Sequence, residues 1–148
     1  MQYVNIKQVI FFSVRINHEY QIFQLLYKDA IRVILNYNMK LASLCSRALV
    51  NASIKGYLDI VLLLLNFGVN PNKIDIITGT GPQHEAVRFS SLKDDKMRDI
   101  RLKIIQYLSM YGADPNLPNT SGETPIRLAS QKPPNIIESY MNALRSGY

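Results

Sequence analysis

One turn occurs twice in this chain, and its recurrence limits the possible folds more than any other feature. Residues 66–72 read NFGVNPN, and residues 110–116 read MYGADPN. Each copy follows an apolar run and is followed, after a polar stretch, by a glycine and then a proline that opens another helical segment. Such recurrence is typical of a repeat protein, in which neighbouring units bury each other's apolar faces.

The residues around these turns favour short helices that cannot stand alone. Thr124 can accept a backbone N–H at a helix start, and Pro125 falls at the first helical position, where its missing N–H costs nothing. Gly68 and Gly112 follow the apolar runs, at the position where a residue in the left-handed conformation ends a helix. Asn38 has the same position in an earlier segment, and asparagine adopts this conformation less readily than glycine. Helices of about three turns are marginal in isolation, so stacking must supply their burial.

These segments resemble ankyrin repeats, whose pattern is G-x-T-P-L-H-x-A-A, a short turn, a second helix with an I-V-x-L-L-L core, and G-A-D-x-N. GETPIRLAS at 122–130 fits the opening, with Arg127 in place of His. GTGPQHEAV at 79–87 fits it with Gly81 for Thr and Gln83 for Leu. The resemblance implies an all-α, ankyrin-type solenoid of stacked helix-turn-helix repeats with short β-hairpin-like turns.

The resemblance also divides the chain, whose 148 residues suit one domain. A third unit matches from Ala52 onward, although its opening, RALV at 47–50, lacks Thr-Pro. A decayed unit precedes it, with a second-helix pattern at 28–38, and a helix is expected at 17–29. The expected parts are a degenerate capping unit at 1–41, a repeat at 42–74, a repeat with an insertion at 75–117, and a capping repeat at 118–148.

The insertion lies between the two turn glycines. They are 44 residues apart, against about 33 in one ankyrin unit, and the extra residues fall within 89–100. Ser91 with Asp94 resembles a capping box, so we expect the insertion to lengthen the outer helix backward. A loop that closes at Asp95 is the alternative. The expected apolar face is Met97, Ile100, Ile104, Ile105 and Leu108.

The C-terminal segment predicts a last helix with one polar face. Pro133 and Pro134 end the helix before it. A polar outer face suits the terminal unit of a stack. The apolar face comprises Ile136, Ile137, Tyr140, Met141 and Leu144, and the polar face comprises Glu138, Ser139, Asn142 and Arg145.

No constellation for catalysis, metal or cofactor binding is found. The His-Glu pair at 84–85 begins like a zinc helix, but no second histidine follows at the required spacing. The resemblance instead implies that His84 bonds the turn of the next repeat. Cys45, the single cysteine, has no neighbouring histidine and is expected to pack between units. We therefore expect a protein that is not an enzyme.

Charge and hydropathy point to a soluble protein, and the single cysteine, which allows no internal disulfide, favours a reducing compartment. The net charge is +6, but the basic residues form no block, so a nucleic-acid partner is disfavoured. The apolar run at 8–14 is too short for a signal peptide, and the one at 60–67 is too short to cross a membrane. We expect a monomer that is located in the cytoplasm or elsewhere inside a cell. The cytosol or the nucleus of a host cell is among the expected locations.

Partners of ankyrin-like stacks usually contact the turn tips and the exposed faces of the inner helices, so the resemblance implies binding to another protein there. The tips fall near 73–77 and 118–121. The first is unusual because Ile74, Ile76 and Ile77 cannot all be buried in a turn, although two of them could pack under the neighbouring tip. The predicted partner-binding residues are Lys73, Ile74, Asp75, Ile76, Gln83, Glu85, Arg88, Asn119, Thr120 and Arg127.

Three versions of the function remain open at this point. Abundant Ile, Asn, Lys and Tyr suggest an AT-rich genome, and ankyrin proteins from such bacteria and viruses often act in a eukaryotic host, so the partner would be a host protein. A basic scaffold that contacts nucleic acid or acidic membrane is the second version. The third is an ankyrin part of a larger, enzymatic protein.

Overall fold

The structure is a computed structural model, and it describes residues 39–89 and 94–147. This part of the chain is helical, which confirms the all-α prediction there. It holds no β-strand, only an isolated antiparallel bridge between Asp75 and Thr80. The helices expected at 17–29 and 28–38 lie outside the described residues. The helices are α1 (Met39–Lys55), α2 (Leu58–Asn66), α3 (Pro82–Arg88), α4 (Asp95–Met110), α5 (Pro125–Ser130) and α6 (Pro134–Arg145).

The helices of the described residues are arranged as three pairs in two rows. Within the pairs, α1 contacts α2, α3 contacts α4, and α5 contacts α6. Along the first row α1 contacts α3 and α3 contacts α5, while along the second row α2 contacts α4 and α4 contacts α6. Each pair therefore stacks on the next one through both of its helices.

One apolar core runs between the rows, and all six helices contribute to it. Leu49 of α1, Val61 of α2 and Ile104 of α4 are fully buried in it. Cys45 lies in the same core, which agrees with its predicted packing role. Burial raises the pKa of its thiol to about 11, so the thiol stays protonated and unreactive near neutral pH.

The turn glycines end the second-row helices as predicted. Gly68 has φ +86° and Gly112 has φ +88°, a region that residues with a Cβ rarely adopt. After α2, the Gly68 N–H donates to Leu65 O at 2.9 Å and the Val69 N–H to Leu64 O at 3.1 Å. These bonds satisfy the last carbonyls of the helix and turn the chain toward the following segment.

The predicted helix starts are also present. The Thr124 hydroxyl accepts the Arg127 N–H at 3.2 Å, and Pro125 is the first residue of α5. Helix α3 begins at Pro82, with Gly81 in the capping position and no side-chain cap. Because a glycine supplies no acceptor, the start of α3 relies on other contacts.

Helix α4 is extended before Gly112, as expected, but it begins only at Asp95, the residue at which the alternative loop was expected to close. It has 16 residues against 9 in α2, and the extra length lies on its N-terminal side. Asp94 is itself the N-cap and accepts the Lys96 N–H at 2.9 Å, so the expected capping box, which would begin the helix at Ser91, is wrong. Ser91 lies outside the described residues. Of the predicted apolar face, Ile104, Ile105 and Leu108 are buried, and Met97 and Ile100 are half-buried.

Helix α6 has the predicted two faces. Ile136, Tyr140 and Leu144 are buried against the core, whereas Glu138 and Asn142 are exposed. The stack of described helices thus ends on a polar surface.

Candidate partner-binding surface

Two turns with the same construction precede α3 and α5; we name them the first tip (residues 73–80) and the second tip (residues 118–123). In the first, the Asp75 N–H donates to Thr80 O at 2.9 Å. In the second, the Asn119 N–H donates to Glu123 O at 2.8 Å. Each tip is closed by a glycine with positive φ, +69° at Gly79 and +76° at Gly122. The tips are therefore ordered, hairpin-like turns.

Asp75 holds the first tip together from inside. One oxygen, Oδ2, accepts the Thr78 N–H at 3.1 Å and the Thr78 hydroxyl at 3.0 Å. The other, Oδ1, accepts Arg47 Nε at 3.3 Å. Burial alone would raise the pKa of this carboxyl, but the bonds from Thr78 and Arg47 outweigh it and lower the pKa below 3.8. Asp75 is 2% exposed and its side chain is used within the turn, so its predicted contact with a partner stays a prediction that its carboxylate does not favour.

Asn119 has the equivalent role in the second tip. Its Oδ1 accepts the N–H groups of Ser121 and Glu123, both at 2.9 Å. An asparagine or aspartate that bonds backbone amides two or more residues ahead shapes a turn without other help. Asn119 is buried, so its side chain is poorly placed for a partner, and its predicted contact likewise stays a prediction.

Gln83 and Glu85 were predicted on an exposed face of the inner helix, and they are buried instead, at 2% and 4% exposure. The cause is the position of α3, a helix of 7 residues that contacts α1, α4 and α5. Gln83 Nε2 donates to Ser109 Oγ at 3.4 Å, and the Glu85 carboxylate accepts Arg88 Nη1 at 2.9 Å. Contact on three sides leaves α3 little face to offer a partner.

The remaining predicted site residues lie at the surface, and the structure brings them to the tips and the adjoining helix ends. Ile74 is half-buried, whereas Ile76 is 81% exposed. Ile77, named among the apolar tip residues but left out of the predicted set, is 70% exposed. The alternative in which two isoleucines pack under the neighbouring tip is therefore wrong. The other exposed members are Lys73, Arg88, Thr120 and Arg127.

Hydrogen bonds join the two tips into one edge. The Thr120 N–H and hydroxyl both donate to Gly79 O at 3.0 Å. Nearer the helices, Asn72 Nδ2 donates to Gly112 O at 2.8 Å, and the Asp114 N–H donates to Asn72 Oδ1 at 2.7 Å. Each of these four bonds has a backbone group at one end or at both, so together they fix the spacing between the tips.

His84 links α3 to the second tip. Its Nε2 lies 3.0 Å from Glu123 O, and since a carbonyl only accepts, Nε2 carries the proton. Burial lowers the pKa of the imidazole below 6.5, although backbone bonds with Glu123 and Leu117 oppose this. The role implied by the resemblance, a bond to the following turn, is confirmed.

Arginine side chains form a second set of contacts that sequence reasoning missed. Arg101 is buried, donates to Ser53 O and lies 5.4 Å from the centre of the Phe89 ring. Arg88 reaches from α3 to the second tip, with Nη2 3.3 Å from the Glu123 carboxylate. The spacing of residues in the sequence places Arg101 on the apolar face of α4, and this position could have indicated that Arg101 is buried.

The described residues include no group of three or more His, Cys, Asp or Glu side chains arranged to hold a metal ion. None of the described helices has the length and apolar character needed to cross a membrane.

The chain is similar to part of one much longer human protein. It is 40% identical over 83 residues to BCL-6 corepressor-like protein 1 of Homo sapiens. That segment is 56% of this chain and 4% of the human protein, so the chain spans a small fraction of its relative's length. No family model matches the chain. No solved structure matches it.

Proposed function

We propose that the chain is a small ankyrin-type solenoid that binds another protein through its tips and has no catalytic role. Three features support the fold: helix pairs in two rows, turn glycines with positive φ, and His84 bonded to the next turn. Thr124 and Pro125 begin α5 as the ankyrin pattern requires. In this proposal the chain acts as a monomer, and its stability is shared between neighbouring pairs.

The observation that carries the binding function is the exposed Ile76–Ile77 pair. Both side chains are more than two thirds exposed on a turn whose backbone is hydrogen-bonded at both ends. Asp75 anchors the turn on one side, and Gly79 is tied to Thr120 on the other. An apolar pair held outward by an ordered turn is already in place for contact, so binding would cost little ordering entropy.

The relative supports the same class of function and suggests where to look for the partner. The human protein is named for a corepressor, which favours a protein-binding role over a catalytic one. Because the similar segment belongs to a human protein, we propose a partner in a eukaryotic cell, in the cytosol or the nucleus.

Affinity capture from a human cell lysate tests the proposal. The tagged wild-type chain is compared with Ile76→Ser/Ile77→Ser, and bound proteins are quantified by mass spectrometry. Tyr57→Ser is the control, because Tyr57 is also exposed, at 48%, but lies at the opposite end of α2 from the first tip. A nine-residue helix separates the two places by about 13 Å.

We expect a specific set of proteins to be captured by the wild type and the Tyr57 variant and to be lost with the isoleucine variant. Equal capture by all three variants, with their circular dichroism unchanged, would contradict binding through the first tip.

A further inference from the structure

We propose that the partner contributes an acidic segment in which Asp or Glu residues stand next to apolar side chains. This inference rests on the proposed function and adds the chemistry of the bound segment. It is carried by the unequal exposure of acids and bases on the tips and the neighbouring helix ends, which we name the tip surface.

The basic groups of the tip surface face water, and most of its acids do not. Lys73 and Arg127 are exposed, and the side chains of Arg47 and Arg88 are 33% and 42% exposed. The carboxylates of Asp75 and Glu85 are 1% and 5% exposed, and only that of Glu123 reaches 35%. A partner therefore meets more exposed cations than exposed carboxylates at the tip surface.

Several of these donors have unused capacity. Arg47 bonds Asp75 through Nε alone, so neither of its Nη groups has a partner among the described residues. The Arg127 guanidinium makes no ion pair within the described part of the chain. Neither does the Lys73 ammonium there. Guanidinium groups bind carboxylates through two parallel hydrogen bonds, the strongest pairing that a surface of this kind offers.

The apolar pair follows, in the chain, the residue to which one of these donors is bonded. Arg47 is bonded to Asp75, and Asp75 is followed in the chain by Ile76 and Ile77. A bound segment in an extended conformation advances about 3.3 Å per residue. Contact with the isoleucines and with the Arg47 fork thus requires an apolar residue and an acid within a few positions of each other.

A polyanion such as DNA or an acidic membrane fits this surface less well. Asp75, Glu85 and Glu123 lie within hydrogen-bonding distance of Arg47 and Arg88 and cancel much of their field at long range. Polyanions bind through many released counterions and need a strong net field. Single carboxylates need only short-range donors, which the tip surface has.

Selection from a displayed library of random 12-residue peptides on the immobilised full chain tests the inference. We expect the selected peptides to be enriched in Asp or Glu within three positions of Leu, Ile, Val or Phe. The dominant peptide is then synthesised with a fluorescent label, and its dissociation constant is measured by anisotropy.

Two charge-reversed variants provide a matched comparison. Lys73→Glu/Arg127→Glu changes the tip surface at side chains without a described partner. Lys96→Glu/Lys103→Glu makes the same charge change at two exposed residues of α4. We expect the first variant to weaken peptide binding at least tenfold and the second to change it less than twofold.

The outcomes separate this inference from the proposed function. Selected peptides without acids, whose binding is lost in Ile76→Ser/Ile77→Ser, would overturn the acidic chemistry and keep the protein-binding function. Equal weakening by both charge variants would show that only net charge matters and would also overturn the inference. If a 20-base-pair DNA or phosphatidylserine vesicles bound more tightly than the best peptide, the ligand of the tip surface would be a polyanion, and the inference would be overturned. A selection with no enrichment would count against both proposals.

Discussion

Replacing His84 with alanine removes a buried hydrogen bond between α3 and the second tip. The imidazole is 1% exposed, and its Nε2 lies 3.0 Å from Glu123 O. That carbonyl keeps a second bond, from the Asn119 N–H at 2.8 Å, so it does not become unsatisfied. The hydrogen bond is therefore worth about 1 kcal/mol. The lost packing of a fully buried ring adds about 1–2 kcal/mol.

Thermal unfolding followed by circular dichroism measures the effect. A total loss of about 2–3 kcal/mol lowers the Tm of a chain of this size by about 5–10 °C. A His84→Ala variant with the Tm of the wild type would refute the reasoning, because the imidazole would then contribute nothing to joining the pairs.

The same side chain predicts a dependence on pH with a definite sign. Burial lowers the pKa of His84 below the ordinary 6.5, so the unfolded chain takes up the proton before the folded chain does. The free energy of unfolding must then fall as pH drops from 6.5 toward the folded-state pKa. Urea unfolding at pH 7.5 and pH 5.5 should show this fall in the wild type and a smaller one in His84→Gln. His18→Gln is the control. If the fall in the free energy of unfolding disappeared in His18→Gln and remained in His84→Gln, its assignment to His84 would be wrong.

Three further predictions concern the tips, the turn glycines and the core. Asp75→Ala should lower the free energy of unfolding by about 2–3 kcal/mol, because three hydrogen bonds to the buried carboxylate are lost. Since the folded pKa of Asp75 lies below 3.8, the difference between wild type and variant should become smaller as pH falls below 3.8 and through the folded-state pKa; a difference that does not change with pH would contradict this. Gly112→Val should cost at least about 1 kcal/mol through backbone strain alone, because no atom lies within 4 Å of an added Cβ. Gly79→Ala should cost more, because its Cβ would collide with the Thr120 hydroxyl that bonds Gly79 O. Equal Tm values for these two variants would contradict this. A thiol reagent at pH 8 should label Cys45 far more slowly in the folded chain than in urea, since the pKa of the buried thiol is about 11; equal rates would place the thiol at the surface.

Features that depend on local chemistry could be predicted from the sequence. Gly68 and Gly112 end helices because they adopt positive φ, and Thr124 with Pro125 begins one because a hydroxyl and a fixed φ suffice. The spacing of apolar residues also predicted both faces of α6. Each of these features is decided within one or two helical turns.

Burial at the candidate site could not be predicted in the same way. Gln83 and Glu85 are polar and belong to a short helix, so their exposure was the simple expectation. Their burial depends on three other helices that contact α3. Asp75 and Asn119 look like exposed turn residues, but their side chains accept the turn's own amides. The exposure of Ile76 and Ile77 follows from those same bonds, which only the folded tip reveals.

Amide hydrogen exchange, with and without the partner obtained by affinity capture, tests the central claim most directly. The account predicts slower exchange on binding in residues 73–80 and 118–123, because a partner that covers the tips excludes water from their backbone. It predicts little change in α2 and α4, which form the opposite row. Protection confined to α2 and α4, with unchanged exchange at both tips, would contradict the account and move the binding surface to the second-row helices.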